Sequence, residues 1–151
     1  MKYFIASDHA GVDLKAFVKE LLEKKGISVE DMGPNCKDRV DYPDFAKLVC
    51  QKVQENSNSF GVLICGSGIG MSMAANKFDG IIEALCHNEY SAKMARNHND
   101  ANVICLGERV SGEGMIEAIM NSWLESSFEG QRHTQRVEKI NNLSKIGSCR
   151  V

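Results

Sequence analysis

The sequence has no excess of either charge, no long apolar run and no internal repeat. Eighteen Lys and Arg residues face 20 Asp and Glu residues, which leaves a net charge of −2. Nothing here favours binding to nucleic acid or to an anionic membrane. No apolar stretch approaches the roughly 20 residues of a membrane-spanning helix. The opening MKYFIASDHAG has an apolar run too short for a signal peptide. These absences predict a cytoplasmic protein.

The six cysteines lack the pairing pattern of a redox or zinc-binding motif. They stand at positions 36, 50, 65, 86, 105 and 149, and no two form C-x-x-C. Cys86 and Cys105 lie in apolar, strand-like runs, where a thiol usually acts as a small core side chain. Reduced thiols are the rule in the cytoplasm, so no disulfide is expected. No group of His, Cys and Asp has metal-ligand spacing, so no metal is expected either.

Short apolar runs alternate with amphipathic stretches along the whole chain. Apolar residues have helical spacing after Asp13 and again from Ile116 to Leu124. Strands are predicted at 3–7, 27–32, 60–66, 80–86 and 102–107, and further helices around 45–53, at 69–77 and at 88–97. Apolar strands separated by helices indicate a parallel sheet covered on both faces. One domain is expected over 1–151, with 131–151 as a C-terminal extension.

Polar residues follow three of the predicted strands, at the edge where parallel sheets of this kind hold their sites. Asp8 and His9 follow the first strand, Cys65 and a glycine-rich turn follow the third, and Arg109 follows the fifth. Each has an ordinary structural alternative: a helix cap for the aspartate, a solvated loop position for the histidine and a core thiol for the cysteine. Their convergence on one sheet edge favours a site.

The glycine loop at 66–70 lacks the residues that other glycine-rich loops need. Position 71 is Met71, where the dinucleotide pattern G-x-G-x-x-G requires its last glycine and where cysteine phosphatases have arginine. The phosphate loop G-x-x-x-x-G-K-[ST] is absent, and Cys65 has no partner cysteine for redox chemistry. What remains is a thiol beside amides at a helix N-terminus, which favour a thiolate and an oxyanion. Such a thiolate could carry out nucleophilic attack or proton abstraction next to a carbonyl. The hydroxyl of Ser67 could donate a further hydrogen bond to the oxyanion.

Two further groups of polar residues lie in the last third of the chain. The predicted helix at 88–97 leaves His98 and Asn99 in the loop before the fifth strand. Arg132 and Arg136 are four residues apart, on one predicted helix. They could form a solvated basic face, or they could hold a phosphate, which guanidinium pairs bind well. The tail after 131 has a thin apolar face, so it is expected to pack on a partner subunit.

Five stretches of the sequence resemble ribose-5-phosphate isomerase of the B type. They are SDHAG, DYPDFA, LICGSGIGMSMAANK, YSAKMARNHNDANVICLGER and EGQRHTQRVEKI, in family order over about 140 residues. The resemblance implies an α/β fold, a three-layer αβα sandwich with a five-stranded parallel, Rossmann-like sheet and a C-terminal helix that reaches a partner subunit. It also implies a homodimer or a dimer of dimers with active sites between subunits, a phosphorylated sugar as substrate, and no metal or other cofactor.

The resemblance assigns catalytic roles by position. It makes Cys65 the base that moves a proton between C2 and C1 of the open-chain sugar. Ser67 would help to hold the developing enediolate. His98 would be the acid that opens the furanose ring, and Asp8 would handle the protons of the sugar hydroxyls.

The resemblance also assigns substrate-binding positions. The backbone of the glycine loop, at Gly66, Gly68, Ile69 and Gly70, would hold the enediolate oxygen. Asn99 would contact the sugar oxygens. The residues implied to bind the phosphate, some from the neighbouring subunit, are His9, Arg109, Arg132 and Arg136.

Two positions locate the chain within this family, and two alternatives to its main activity stay open. Met71 stands where a branch that lacks the cysteine has a glutamate, so Cys65 places this chain in the cysteine branch. Ser67 stands where threonine is common, which keeps the hydroxyl and loses a methyl that restricts its rotamer. Galactose-6-phosphate and allose-6-phosphate isomerases look like the same fold with the same loop, so a six-carbon substrate is one alternative. A non-catalytic sugar-phosphate sensor is the other.

Overall fold

The computed structural model describes residues 1–146, with side chains through 143. Five strands form one sheet: β1 (Lys2–Ser7), β2 (Ser28–Asp31), β3 (Ser59–Cys65), β4 (Glu83–Leu85) and β5 (Val103–Gly107). Their order is β2-β1-β3-β5-β4, and every pairing is parallel. Cys149 and the last residues of the expected extension, 147–151, lie outside the described residues.

Within residues 1–146, six α-helices and one 3₁₀ turn connect and follow the strands. The helices are α1 (Val12–Lys24), α2 (Tyr42–Glu55), α3 (Ile69–Ala75), α4 (Glu89–Asn99), α5 (Glu113–Glu125) and α6 (Thr134–Ile146), with the 3₁₀ turn at Gln131–His133. In the described part of the chain, no helix is both long enough and apolar enough to cross a membrane.

Two apolar cores lie on the two faces of the sheet. One core packs α1, α4 and α5 against side chains such as Ile5, Ile64 and Ile104. The other packs α2 and α3 against neighbours on the same strands, including Phe4 and Leu63. Adjacent strand residues point to opposite faces, so strands buried on both sides are apolar at almost every position. The predicted three-layer α/β fold is confirmed.

The order of the strands places a crevice between β1 and β3. The chain leaves β1 toward β2 on one side, and it leaves β3 toward β4 and β5 on the other. Connections that diverge in this way leave an opening at the carboxyl ends of the two strands, where open parallel sheets bind ligands. Asp8 and His9 follow β1 and the glycine loop follows β3, so these residues lie at this opening.

Two sequence-based placements are wrong. His98 and Asn99 belong to the last turn of α4, because the helix continues until Asp100 adopts a left-handed conformation (φ 51°). Arg132 lies in the 3₁₀ turn and Arg136 in α6, so the two arginines do not share one helix. Strand boundaries shift less, except for β4, which is limited to Glu83–Leu85 at the edge of the sheet.

Candidate active site

Cys65 is the last residue of β3, and its sulfur is bound by a backbone amide of the following turn. The residue is 5% exposed. The N–H of Gly68 donates to Cys65 Sγ over 3.1 Å. Gly68 has φ 80° and immediately precedes α3. A side chain at Gly68 would also meet the carbonyl of Leu106 at 3.1 Å, so glycine allows this amide to approach the thiol.

The rest of the glycine loop is closely confined. The N–H of Ile69 donates to Ser67 Oγ over 3.3 Å, which leaves the hydroxyl proton of Ser67 available to another acceptor. A Cβ on Gly70 would lie 2.6 Å from the ring of Tyr42, at the start of α2. The aromatic ring therefore packs against the backbone of the loop, and position 70 has no room for a side chain.

Asp8 and His9 follow β1 and are held by backbone groups. Asp8 is 7% exposed, and its Oδ1 accepts from the N–H groups of Ala10 and Gly11 over 2.9 and 3.2 Å. The N–H of Val40 donates to His9 Nδ1 over 3.4 Å. This contact makes Nδ1 the acceptor, so the neutral imidazole carries its proton on Nε2 and presents a donor there.

Arg109 lies over the glycine loop. Its backbone N–H donates to the carbonyl of Gly66 over 2.9 Å. A guanidinium nitrogen lies 3.2 Å from the position that a Cβ on Gly66 would take. The preceding residue, Glu108, anchors this turn elsewhere, because its Oε2 accepts from the N–H of Leu14 in the first turn of α1 over 2.8 Å. We call Asp8, His9, residues 65–70 and Arg109 the strand-end cluster.

His98 and Asn99 lie at the opposite edge of the sheet. The helix α4 follows β4 and returns to the start of β5, so its last turn lies at the amino ends of the strands. Val103 at the start of β5 pairs with Gly61, four residues before Cys65. That spacing corresponds to about 13 Å along the strand. No hydrogen bond or ion pair among the described residues joins His98 to the strand-end cluster.

Instead, His98 stacks on a second histidine. The rings of His98 and His133 are 4.2 Å apart between centroids and inclined by 11°. Nε2 of each imidazole lies 3.9 Å from Glu129 Oε2. Burial, with the positive charges of His98, Arg132 and Arg136, lowers the pKa of His133. Arg132 donates through Nε to His133 Nε2 over 3.4 Å. The side chains of His98, Glu129 and His133 could hold a metal ion, since their ligand atoms lie within 4.8 Å of one another.

The sequence indicated some of these residues and missed others. DYPDFA was noted as a family stretch, but no role was given to its Tyr42, which lies against Gly70. Glu108 precedes an arginine that was singled out, yet its contact with Leu14 spans most of the chain. His133 and Glu129 flank Arg132, which was proposed for phosphate. Their meeting with His98 depends on how α4 and the 3₁₀ turn pack, and spacing along the chain did not reveal it.

Known proteins resemble this chain over nearly its whole length. A family model described as ribose/galactose isomerase matches residues 3–140. Ribose-5-phosphate isomerase B of Escherichia coli is 41% identical over 144 residues, which cover 95% of this chain and 97% of that protein.

Two solved structures have the same fold. The structure of ribose-5-phosphate isomerase B from Clostridium thermocellum has a TM-score of 0.95 and 45% identity, and covers 97% of this chain and 99% of its own. The enzyme from Mycoplasma genitalium with bound ribulose 5-phosphate has a TM-score of 0.91 and 45% identity, with coverages of 95% and 96%. These relatives share both the sequence and the architecture described above. The chain belongs to the ribose/galactose isomerase family.

Proposed function

We propose that this protein is an aldose–ketose isomerase that interconverts ribose 5-phosphate and ribulose 5-phosphate, a step of the pentose phosphate pathway. The observation that carries the proposal is the Cys65 sulfur, held at the end of β3 by the Gly68 amide next to the glycine loop. The relative crystallised with ribulose 5-phosphate supports the choice of substrate. Reduced thiols persist in the cytoplasm, which suits a cysteine base.

In the proposed reaction, the Cys65 thiolate removes the proton from C2 of the open-chain aldose. The electron pair moves toward the carbonyl oxygen at C1 and gives an enediolate. Amides of the glycine loop and the hydroxyl of Ser67 stabilise the negative oxygen. Asp8 moves the proton of the C2 hydroxyl to the oxygen on C1. The thiol then returns its proton to C1, which leaves the ketone at C2. The mechanism uses no metal and no other cofactor.

The phosphate and the closed ring require further groups. His9 would donate from Nε2, and Arg109 extends from the same sheet edge. His98 would protonate the ring oxygen to open the furanose, with Asn99 on the sugar oxygens. Arg132 and Arg136 would complete the phosphate site. His98 and these two arginines lie at the far edge of the sheet, so we propose that a second copy of the chain supplies them, in a homodimer or a dimer of dimers.

An exchange experiment tests the reaction. The protein is incubated with ribose 5-phosphate in deuterated water, and proton NMR follows the signals of H2 of ribose and H1 of ribulose. Formation of ribulose 5-phosphate, or incorporation of deuterium at the isomerising carbons, supports the proposal. If neither ribulose 5-phosphate nor deuterium exchange is detected, the result favours a non-catalytic sugar-phosphate sensor. Cys65→Ala is the matched control, because any deuterium exchange that remains in this variant does not depend on the thiol.

The length of the substrate needs a separate comparison. Galactose-6-phosphate and allose-6-phosphate isomerases are the alternatives that the family resemblance leaves open. A six-carbon sugar needs more room between the Cys65 thiol and the phosphate site. We expect kcat/KM to be higher with ribose 5-phosphate than with allose 6-phosphate. The reverse order would assign the chain to the six-carbon branch and leave the isomerase mechanism intact.

A further inference from the structure

Three side chains of metal-binding type converge at the amino edge of the sheet, away from the strand-end cluster. His98 comes from the last turn of α4, Glu129 from the segment after α5 and His133 from the 3₁₀ turn. Glu129 Oε2 lies 3.9 Å from Nε2 of each histidine. Two imidazole nitrogens and one carboxylate oxygen form a ligand set that binds Zn²⁺ in proteins and leaves a fourth position open. We call these residues the His–Glu–His triad.

The carboxylate of the triad is oriented by a neighbouring amide. Asn97 donates through Nδ2 to Glu129 Oε1 over 3.1 Å, and the Glu129 N–H donates to the Asn97 carbonyl over 2.9 Å. One oxygen of the carboxylate is therefore occupied, and the other faces the two imidazoles. Metal-binding carboxylates are commonly held by such an outer hydrogen bond, which also improves their affinity for the ion.

Small movements would bring the ligand atoms to bonding distance. Bonds of about 2.0–2.1 Å in a tetrahedral site require ligand atoms roughly 3.4 Å apart. His98 and Glu129 are 35% and 52% exposed and can rotate, whereas His133 is 6% exposed and fixed. His98 must tilt out of its stack, and the long contact from Arg132 to His133 must break. An open cavity of about 450 Å³ adjoins Glu129 and His133 and has room for a water as the fourth ligand.

We propose that the His–Glu–His triad binds a divalent transition-metal ion, with Zn²⁺ as the preferred ion, and that the bound ion inhibits the enzyme by occupying His98 Nε2. The ion is an inhibitor here, and the proposed isomerisation proceeds without it. Inhibition rests on the proposed role of His98 in ring opening. Metal binding rests only on the geometry of the three side chains and of Asn97.

Cobalt provides a direct readout of binding. The full chain is freed of metal with a chelator and titrated with Co²⁺, and visible absorbance reports four-coordinate ions. We expect one Co²⁺ per chain, displaced by Zn²⁺. Glu129→Gln and His133→Asn should each weaken binding at least about tenfold, and Asn97→Ala about tenfold to a hundredfold. His87→Asn removes an exposed histidine outside the triad and should leave binding unchanged.

Several outcomes would overturn the proposal. The proposal fails if the protein binds no Co²⁺. It also fails if wild type, Glu129→Gln and His133→Asn bind Co²⁺ with equal affinity. A near-ultraviolet thiolate-to-cobalt band would place the ion on a cysteine instead. The fluorescence of Trp123, the single tryptophan, verifies that each variant is folded. If a triad variant is unfolded, Asn97→Ala decides, because it retains all three ligands.

Measurements of isomerase turnover test the second part of the proposal, that the bound ion inhibits the enzyme. Zn²⁺ should inhibit ribose 5-phosphate isomerisation by the wild type, and a chelator should restore the rate. Glu129→Gln should need at least about tenfold more Zn²⁺ for the same inhibition. Unchanged turnover with the ion bound would overturn inhibition alone. If the protein does not isomerise ribose 5-phosphate at all, the proposed function fails, while the Co²⁺ titration still decides whether the triad binds metal.

Discussion

Cys65 differs from the other buried cysteines in what surrounds its sulfur. Burial raises the pKa of Cys50 to about 12 and that of Cys86 to about 11. Both therefore stay as neutral thiols at neutral pH. The Cys65 sulfur instead lies at the end of β3 and accepts a hydrogen bond from the Gly68 amide over 3.1 Å. A buried thiol is usually inert. The position of Cys65 beside the glycine loop is the reason that we propose it, and neither Cys50 nor Cys86, as the base.

Replacing Cys65 by alanine should abolish most of the activity and preserve the fold. General-base catalysis accelerates a reaction by about 10²- to 10⁴-fold, so kcat should decrease by a factor in that range. Cys50→Ala is the matched control, since it removes a fully buried thiol from α2. Steady-state kinetics and circular dichroism of both variants provide the measurement. Turnover of Cys65→Ala close to that of Cys50→Ala would refute the assignment of the base.

His98 should matter for closed rings more than for open chains. With His98→Asn, we expect kcat/KM on ribose 5-phosphate to fall about 10²-fold, because ring opening loses its acid. An open-chain substrate analogue that cannot cyclise should lose much less. His87→Asn controls for the loss of an exposed histidine. Equal losses on both substrates would argue against a ring-opening role.

At the scale of the element, the glycine loop and the short helix α3 act as one unit. Gly68 immediately precedes the helix with φ 80°, and the position that its side chain would take is already occupied by Leu85 and Leu106. The Tyr42 ring confines Gly70 from the other side. The loop therefore has little freedom to move, which holds the amide of Gly68 against the thiol before any substrate arrives.

Gly68→Ala should destabilise the protein more than Gly80→Ala. Both glycines have positive φ, and alanine in that conformation costs about 1–2 kcal/mol. Nothing lies within 4 Å of a Cβ at Gly80, so its variant measures the backbone cost alone. Crowding should add about 1–3 kcal/mol at Gly68. Urea unfolding followed by Trp123 fluorescence gives both free energies, and equal values would contradict the packing described for the loop.

The segment that carries Arg132 and Arg136 presents both side chains to solvent. Arg132→Ala or Arg136→Ala should mainly raise KM for ribose 5-phosphate, by about tenfold, because an arginine–phosphate contact is made in ground and transition states alike. Lys139→Ala removes one exposed positive charge from α6, the helix that carries Arg136, and should leave KM unchanged. If both arginine variants keep the wild-type KM, these residues belong to a solvated basic face.

At the scale of the whole molecule, the path of the chain separates the proposed catalytic groups. Cys65 ends β3 at the carboxyl edge, and α4 returns His98 to the amino edge. The apolar side chains of Ile140 and Leu143 on α6 are 42% and 64% exposed. Val137, on the same helix, is buried within the chain. A second copy that covers the exposed residues could bring its His98 to the Cys65 of the first.

Mixed subunits test this shared site. Cys65→Ala and His98→Asn chains are each expected to be inactive alone. Co-expressed in equal amounts, they should recover about a quarter of wild-type activity, since half of random dimers are mixed and each has one intact site of two. Purification with two different tags isolates the mixed dimer for the assay. No recovery in isolated mixed dimers would show that each subunit works alone.

The sequence predicted local features well and long-range ones poorly. The strand at 60–66 and the helix at 69–77 are close to β3 and α3, because apolar runs and glycine are local signals. The end of α4 was placed too early, since Asp100 closes the helix in a conformation usually left to glycine. The contact of Val40 with His9 joins residues that only the packed structure brings together. The roles of the proposed site residues stay predictions.

By itself, the sequence determined the parallel α/β architecture, the family resemblance and the placement of Asp8, Cys65 and Arg109 at one sheet edge. Apolar periodicity and the ends of parallel strands suffice for the architecture and for this placement, because they depend on neighbours along the chain. The family resemblance rests on the matched stretches of sequence. Only the tertiary structure decided that His98 lies at the other edge, stacked on His133 and facing Glu129. Those contacts arise where α4 meets the segment after α5, and packing between distant segments leaves no periodic signal in the sequence.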